Sequence, residues 1–259
     1  MSEPTATPEG PQESFISHLV ELRTRLVRSM AAVLVVLVLL FPWAKEIYAA
    51  LAAPLLKALP KGATMIATDV TGTFLVPLKV TLMAAFLVAL PYVLWQVWAF
   101  VAPGLYQHEK RLAVPVIVSS FLFFLTGMAF AYFVVFPIAF GFFATYAPDG
   151  VTMMTDIDKY LSFVLSMFLA FGITFEVPVI VIVLVRMRVV TIAKLKAIRS
   201  YVIVGAFVVG AIFTPPDVVS QLLLAVPLWL LYELGIVMAR FALPPAIGDD
   251  AAADEAAAK

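Results

Sequence analysis

Four carboxylates dominate the chemistry open to this chain: Glu21, Glu109, Glu176 and Asp217. An acid in or near hydrocarbon is costly to desolvate, so each one beside a long apolar run needs a partner or a role. Glu21 shares a polar stripe with Ser17, Arg25 and Arg28 in FISHLVELRTRLVRS, and Glu109 lies in the short loop APGLYQHEKRL. Together they can form an anionic patch, and paired carboxylates accept charge-assisted, bidentate bonds from guanidinium groups. The simpler arrangement is neutralisation at home: Glu21 precedes Arg25 by four residues, the favourable helical order for an ion pair, and Glu109 adjoins Lys110 and Arg111. Glu176, in LAFGITFEVPVIVIVL, is the one acid well inside an apolar run, flanked by Gly172 and Pro178 at a helix distortion. It reads either as an acid bonded to backbone carbonyls freed there, or as a ligand or proton-relay group facing a groove. Asp217, after Pro215-Pro216, suits the N-cap of a following helix. Thr214 and Gln221 add polarity to the same hairpin, where such side chains hydrogen-bond across to a neighbouring helix and can mark a subunit contact.

Other chemistries are missing from the sequence. It has no glycine loop of the GxxxxGK type and no HExxH motif, its only histidines are His18 and His108, and it has no cysteine. ATP hydrolysis by a phosphate-binding loop, thiolate nucleophiles, disulfides and Cys-based metal sites are thereby excluded, and neither a metal nor a cofactor is expected. A net charge of zero supplies no field that would draw nucleic acid.

The elements that hold these acids belong to a bilayer. Hydrophobic residues make up 63% and charged residues 13% of the chain, against roughly 45 to 50% and 25% in soluble domains. A leading amphipathic helix carries Phe15, Leu19, Leu22 and Leu26 on one side and runs without a breaker into MAAVLVVLVLLFPW. Six spans are expected, at about 27–43, 73–102, 112–136, 160–185, 201–213 and 218–238. Pro77 and Pro91 should bend the second of them and make a concave face. The fifth run, of about 13 residues or about 20 Å, falls short of a core about 30 Å thick, so the last two helices are expected to be short and to thin the bilayer or shelter against partners. The expected organisation is a disordered cytoplasmic N-terminus at 1–13, an all-α integral membrane domain at 14–240, and a disordered, acidic cytoplasmic tail at 241–259. Met1 to Glu13 is not a secretory leader, because it carries glutamates and no Lys or Arg. Most of the 17 basic residues fall in the N-terminal segment, the 107–112 loop, the 186–199 loop and the tail, which places both termini in the cytoplasm.

The segments SFISHLVELRTRL, MIATDVTGTF, LPYVLWQVWAFVAPGLYQHEKRL, GMAFAYFVVFP, FGITFEVPV and FTPPDVVSQLLLA resemble, in order and spacing, the characteristic stretches of the TatC family of the bacterial twin-arginine protein translocase. The resemblance covers nearly the whole chain. It implies six spans in a curved, glove-like bundle in the bacterial cytoplasmic (inner) membrane, and no catalysis. It further implies recognition of twin-arginine signal peptides on folded cargo, work with the single-span partners TatB and TatA, self-association in a multi-copy receptor complex, and drive from the proton-motive force. Carried over, Glu21 with Arg23, and Glu109 with Phe100, would form the signal-peptide site; Glu176 would face the concave groove, Thr214 and Gln221 would contact a partner's span, and Pro54 and Asp217 would be functional positions on the periplasmic side. The alternative is a proton-coupled small-solute transporter with Glu176 as relay; such proteins ordinarily show an internal repeat with paired broken helices, and this sequence has none. A plain channel would need a ring-forming polar motif, also absent.

Overall fold

The computed structural model describes residues 11–58, 66–101, 113–145, 155–214 and 217–242. These residues are almost entirely helical, with one isolated parallel bridge pairing Ile66 and Asp156. Helices α1 (Pro11–Leu40) and α2 (Ala44–Ala58) are joined by a 3-10 turn at Phe41–Trp43. Then come α3 (Gly72–Val101), α4 (Ala113–Phe130), a π turn at Ala131–Val135, and α5 (Phe136–Thr145). The second half holds α6 (Ile157–Phe175), α7 (Val177–Arg186), the short α8 (Ile192–Ala197), α9 (Arg199–Phe213) and α10 (Val218–Ala242).

Among the described residues, five helical stretches are long and apolar enough to cross a membrane: Ile16–Leu51, Gly72–Phe100, Val114–Phe143, Ile157–Arg186 and Val218–Phe241. The boundaries differ from the sequence expectation in informative ways. The first stretch passes beyond Trp43, because Pro42 occupies the opening turn of the 3-10 segment, where its missing N–H is no loss. The third continues past Phe136: Pro137 follows directly on the π turn, whose bond from Phe136 N–H to Ala131 O loosens the helix there. The helix also starts at Pro11, inside the segment read as disordered, again with proline at a position that has no N–H to pair. Pro77 and Pro91 both lie inside α3, which stays one helix across them.

The expectation that both final helices are short needs correction. Helix α9 has 15 residues, about 22 Å at 1.5 Å per residue. Helix α10 has 25, because after the tolerated Pro227 no breaker interrupts it before its end at Ala242.

The core is built around α6. Leu161, Val164, Met167, Phe168 and Phe171 pack with Val76 and Val80 of α3, the π-turn residues Ala131 and Val135, and Leu224 and Leu231 of α10. A second cluster joins Val181 and Val185 of α7 to Ile192 and Leu195 of α8 and Ile236 of α10. A third joins Leu90, Leu94 and Trp98 of α3 to Phe124 of α4 and Val179 and Val183 of α7. Helix α1 lies along α3, and none of the side chains at 16–51 is buried, so the leading helix is an outer layer laid on the bundle. The connection after α7 is capped: Arg188 N–H donates to Val185 O at 3.0 Å and Val189 N–H to Leu184 O at 3.1 Å, with Arg188 at φ 56° where glycine is usual.

Small residues set the closest helix approaches, as expected where lipid gives helices no hydrophobic drive to associate. A Cβ added at Gly127 of α4 would overlap the Phe171 carbonyl group of α6, with the carbonyl carbon at 2.9 Å. That obstacle is backbone and cannot swing aside. Gly127→Ala is therefore expected to cost about 1 to 3 kcal/mol through overpacking, read as a lower thermal unfolding midpoint in detergent. Gly205→Ala, with nothing within 4 Å of the new Cβ, should leave the midpoint unchanged or raise it slightly.

Candidate functional site

Two helix faces meet where the start of α1 lies against the end of α3. His18, Glu21 and Arg25 recur at spacings of three and four and share one face of α1; Tyr92, Gln96 and Phe100 recur at four and share one face of α3. Arg25 Nε and Nη2 both donate to Glu21 Oε1, at 2.9 and 2.6 Å. Arg25 Nη1 crosses to α3 and donates to Gln96 Oε1 at 3.3 Å. Gln96 is itself buried, and its Nε2 donates to the Tyr92 hydroxyl at 2.8 Å. His18 Nδ1 lies 4.0 Å from Glu21 Oε2, and its ring stacks on Phe100 with centroids 4.3 Å apart and planes 15° apart. Glu21 thus takes the ion pair with Arg25, while its side chain keeps 40% exposure. Phe100 is brought to the Glu21 face through His18. Arg23 is exposed on α1 and makes no polar contact among the described residues. Glu109 lies outside the described residues. His18, Gln96 and Tyr92 were not singled out from sequence as parts of this site; the signal for the last two was the four-residue spacing from Phe100 inside a run dominated by apolar residues.

Glu176 stands at the break between α6 and α7, with Pro178 at the start of the second helix. It is only 8% exposed. Its carboxyl faces the Ser120 hydroxyl of α4, and Ser120 Oγ accepts a bond from Trp98 Nε1 of α3 at 3.0 Å. Glu176 Oε1 is buried with no hydrogen-bond partner among the described residues. The break came from the sequence; Trp98 and Ser120 did not.

The α9–α10 hairpin uses its polar side chains internally. Thr214 Oγ1 donates to Gly210 O at 2.9 Å, and Gln221 Nε2 donates across to Phe207 O of α9 at 2.9 Å. Asp217 Oδ1 accepts from Ser220 N at 2.7 Å, the N-cap arrangement, and its Oδ2 is buried without a partner among the described residues. Pro54 lies on α2, with its side chain outside the described residues.

At the opposite end of α3, a clamp joins two segments far apart in sequence. Asp156 caps α6, its Oδ1 accepting from Asp158 N at 2.9 Å and Lys159 N at 3.1 Å. Its Oδ2 accepts from Thr68 N at 3.1 Å and from the Thr68 hydroxyl. Backbone bonds from Ile66 N to Thr155 O (3.1 Å) and from Ile157 N to Ile66 O (2.9 Å) complete the junction. Lys79 Nζ of α3 meets Asp158 Oδ1 at 2.6 Å. The Thr68 hydroxyl, followed by the Lys159 amide, holds the Asp156 carboxyl down at about 2; the Thr71 hydroxyl and amide likewise lower that of Asp69. Among the described residues no group of His, Asp and Glu side chains could hold a metal ion.

Membrane-length helices carrying polar clusters at both ends of α3 define an all-helical, multi-pass integral membrane protein. Residues 17–227 match the family described as TatC, Sec-independent protein translocase protein. The chain is 59% identical over 233 residues to the Sec-independent protein translocase protein TatC of Azotobacter chroococcum mcd 1, covering 90% of this chain and 91% of that one. It is 53% identical over 229 residues to the protein of that name from Escherichia coli (strain K12), covering 88% and 89%. Its fold is similar to a crystal structure of the twin arginine translocase receptor TatC, with a TM-score of 0.78 at 41% identity, covering 87% of this chain and 99% of that chain. The chain belongs to the TatC family of Sec-independent protein translocase proteins, a family of protein transport.

Two outcomes test these clusters. Asp156 titrates lower in the folded clamp than in the unfolded chain, so its contribution is present above the unfolded value near 4 and disappears as pH falls toward 2. Amide exchange at Thr68 should rise across that window in the native protein, and Asp156→Asn should remove this pH dependence. Ser120→Ala leaves the buried Trp98 N–H without its acceptor, at a cost of about 1 to 3 kcal/mol, visible as a lower melting midpoint and altered tryptophan emission.

Proposed function

We propose that this chain is the signal-peptide-receiving core of a twin-arginine translocase, which passes folded proteins across the bacterial cytoplasmic membrane with TatA and TatB and the proton-motive force. Glu21, Arg23, Phe100 and Glu109 form the receiving site at the cytoplasmic ends of α1 and α3. Both termini are cytoplasmic, α9 serves as a sixth, short span, and the bundle is concave with Glu176 toward its groove. Thr214 and Gln221 contact a partner's span, Pro54 and Asp217 act on the periplasmic side, and several copies assemble into one receptor complex. Residues 1–10 and 243–259, within the segments expected as disordered tails, lie outside the described residues.

The observation that carries this reading is the face shared by Glu21 and Phe100. An exposed carboxylate stands beside an aromatic ring, and the Glu21 oxygen is already engaged by two N–H groups of one guanidinium. A site that accepts its own arginine in this way has the charge and geometry to accept a peptide's. Arginine stays protonated at any physiological pH, so the attraction does not depend on local titration. The hydrophobic part of a signal peptide would find Phe100 and the apolar side of α1 next to that charge.

Charge reversal is the direct test. Glu21→Lys and Glu109→Lys should each reduce cross-linking of the full chain to a twin-arginine signal peptide by more than about tenfold, because like charges then face each other. Unchanged cross-linking in both variants would defeat the assignment. A solute transporter would show the reverse pattern, losing activity at Glu176 while ignoring the two surface acids.

A further inference from the structure

Glu21 is already occupied. Both N–H groups that Arg25 directs at it converge on the single oxygen Oε1, at 2.9 and 2.6 Å, and the third nitrogen of the same guanidinium reaches Gln96 Oε1 at 3.3 Å. The Arg25 side chain is 24% exposed and Glu21 40%, so the pair lies at the edge of the bundle where an incoming group can reach it. Gln96, by contrast, is 4% exposed, and its amide is held by its own bond to the Tyr92 hydroxyl, which presents the carbonyl oxygen to Arg25. Arg25 therefore sits between two acceptors. One is a carboxylate on its own helix; the other is a fixed, buried amide on the neighbouring helix.

We propose that Arg25 is an internal occupant of the signal-peptide site, which releases Glu21 and stays on Gln96 when a peptide guanidinium takes the carboxylate. This deepens the receptor reading given above and rests on it. An occupant covalently attached four residues away keeps most Glu21 side chains closed, and a ligand that needs the open form binds more weakly by the fraction that is open. Gln96 lowers the cost of opening because it already holds the guanidinium and keeps it paired after the carboxylate is released. Because the closed form takes up one Glu21 oxygen and offsets the charge of the carboxylate, the latch weakens all cationic ligands by one common factor. It sets the threshold for binding and leaves the ratio between an arginine pair and a lysine pair to the geometry of the site itself.

The test uses the full chain in nanodiscs and two synthetic peptides, identical except that one carries Arg-Arg and the other Lys-Lys before the same apolar stretch. Arg25→Gln should tighten both peptides equally, by about two- to fivefold, the size expected for removing one partly exposed ion pair. Arg25→Lys, which keeps the charge but loses the fork, should tighten both by a smaller factor. Gln96→Leu should weaken both by a similar factor, and should have no effect when combined with Arg25→Gln. Arg28→Gln serves as the control for simple removal of positive charge nearby. Weaker binding in Arg25→Gln and Arg25→Lys, or tightening by Arg28→Gln as large as by Arg25→Gln, would overturn the latch. Glu21→Gln separates the two levels: if it abolishes binding while the Arg25 variants bind like wild type, the site stands and the latch fails. If Glu21→Gln binds like wild type, the site itself fails and the latch with it.

Discussion

A lipid interior offers no partner to an unpaired backbone group, so every place where this chain bends inside the bilayer has to satisfy its own N–H and C=O groups. The positions of the breaks follow from that constraint. Pro42 falls in the opening turn of the 3-10 segment and Pro137 directly after the π turn, and the chain passes both without leaving the helical state. The break at Glu176 is closed by Glu176 N–H to Ile173 O at 3.0 Å and Ile180 N–H to Glu176 O at 2.9 Å, so α7 resumes at once. Where α9 stops, Thr214 supplies both its N–H and its hydroxyl to Gly210 O.

The same constraint sorts the polar side chains. Those deep in the bundle form short closed chains, such as Trp98 to Ser120 with Glu176 beside it, and join helices that apolar packing alone would leave free to slide. Those at the two ends of α3 are more exposed and carry charge. One end has the His18–Glu21–Arg25–Gln96 ladder, and the other has the Asp156 clamp with Lys79 and Asp158. Helix α3 consequently couples a charged cluster at one end to a pinned loop at the other, with α6 buried between the layers as the common support.

How much of this was legible in the sequence depends on how local each interaction is. The Glu21–Arg25 pair is written in a four-residue spacing, and the break at Glu176 in the flanking Gly172 and Pro178, so both could be read directly. The Asp156–Thr68 junction joins residues 88 apart and leaves no periodic trace. MIATDVTGTF stood out as a polar stretch, but only the fold shows that its Thr68 and Asp69 tie down a loop. Gln96 and Tyr92 were hidden because an apolar run is read by its average, while a site needs only one face of one turn. The length of α10 was misjudged because the short fifth run was taken to govern its partner, whereas antiparallel helices need not match in length.

That mismatch leaves α10 projecting past the start of α9. Helix α9 begins at Arg199, which pairs with Glu233 of α10 at 2.6 Å, so α10 extends beyond the start of its neighbour by the nine residues after Glu233. Both partners keep partial exposure, 45% for Arg199 and 26% for Glu233. A pair of charges held in hydrocarbon would be costly, and the cost falls when water or headgroups reach it. The partial exposure of both side chains lets water reach the pair, at a level well short of the end of α10. The Tyr232 hydroxyl bonded to Leu195 O at 2.7 Å ties α8 to α10 one residue before Glu233. The short helix and the α8 turn before it are in this way fixed against α10 by an ion pair and a buried hydrogen bond.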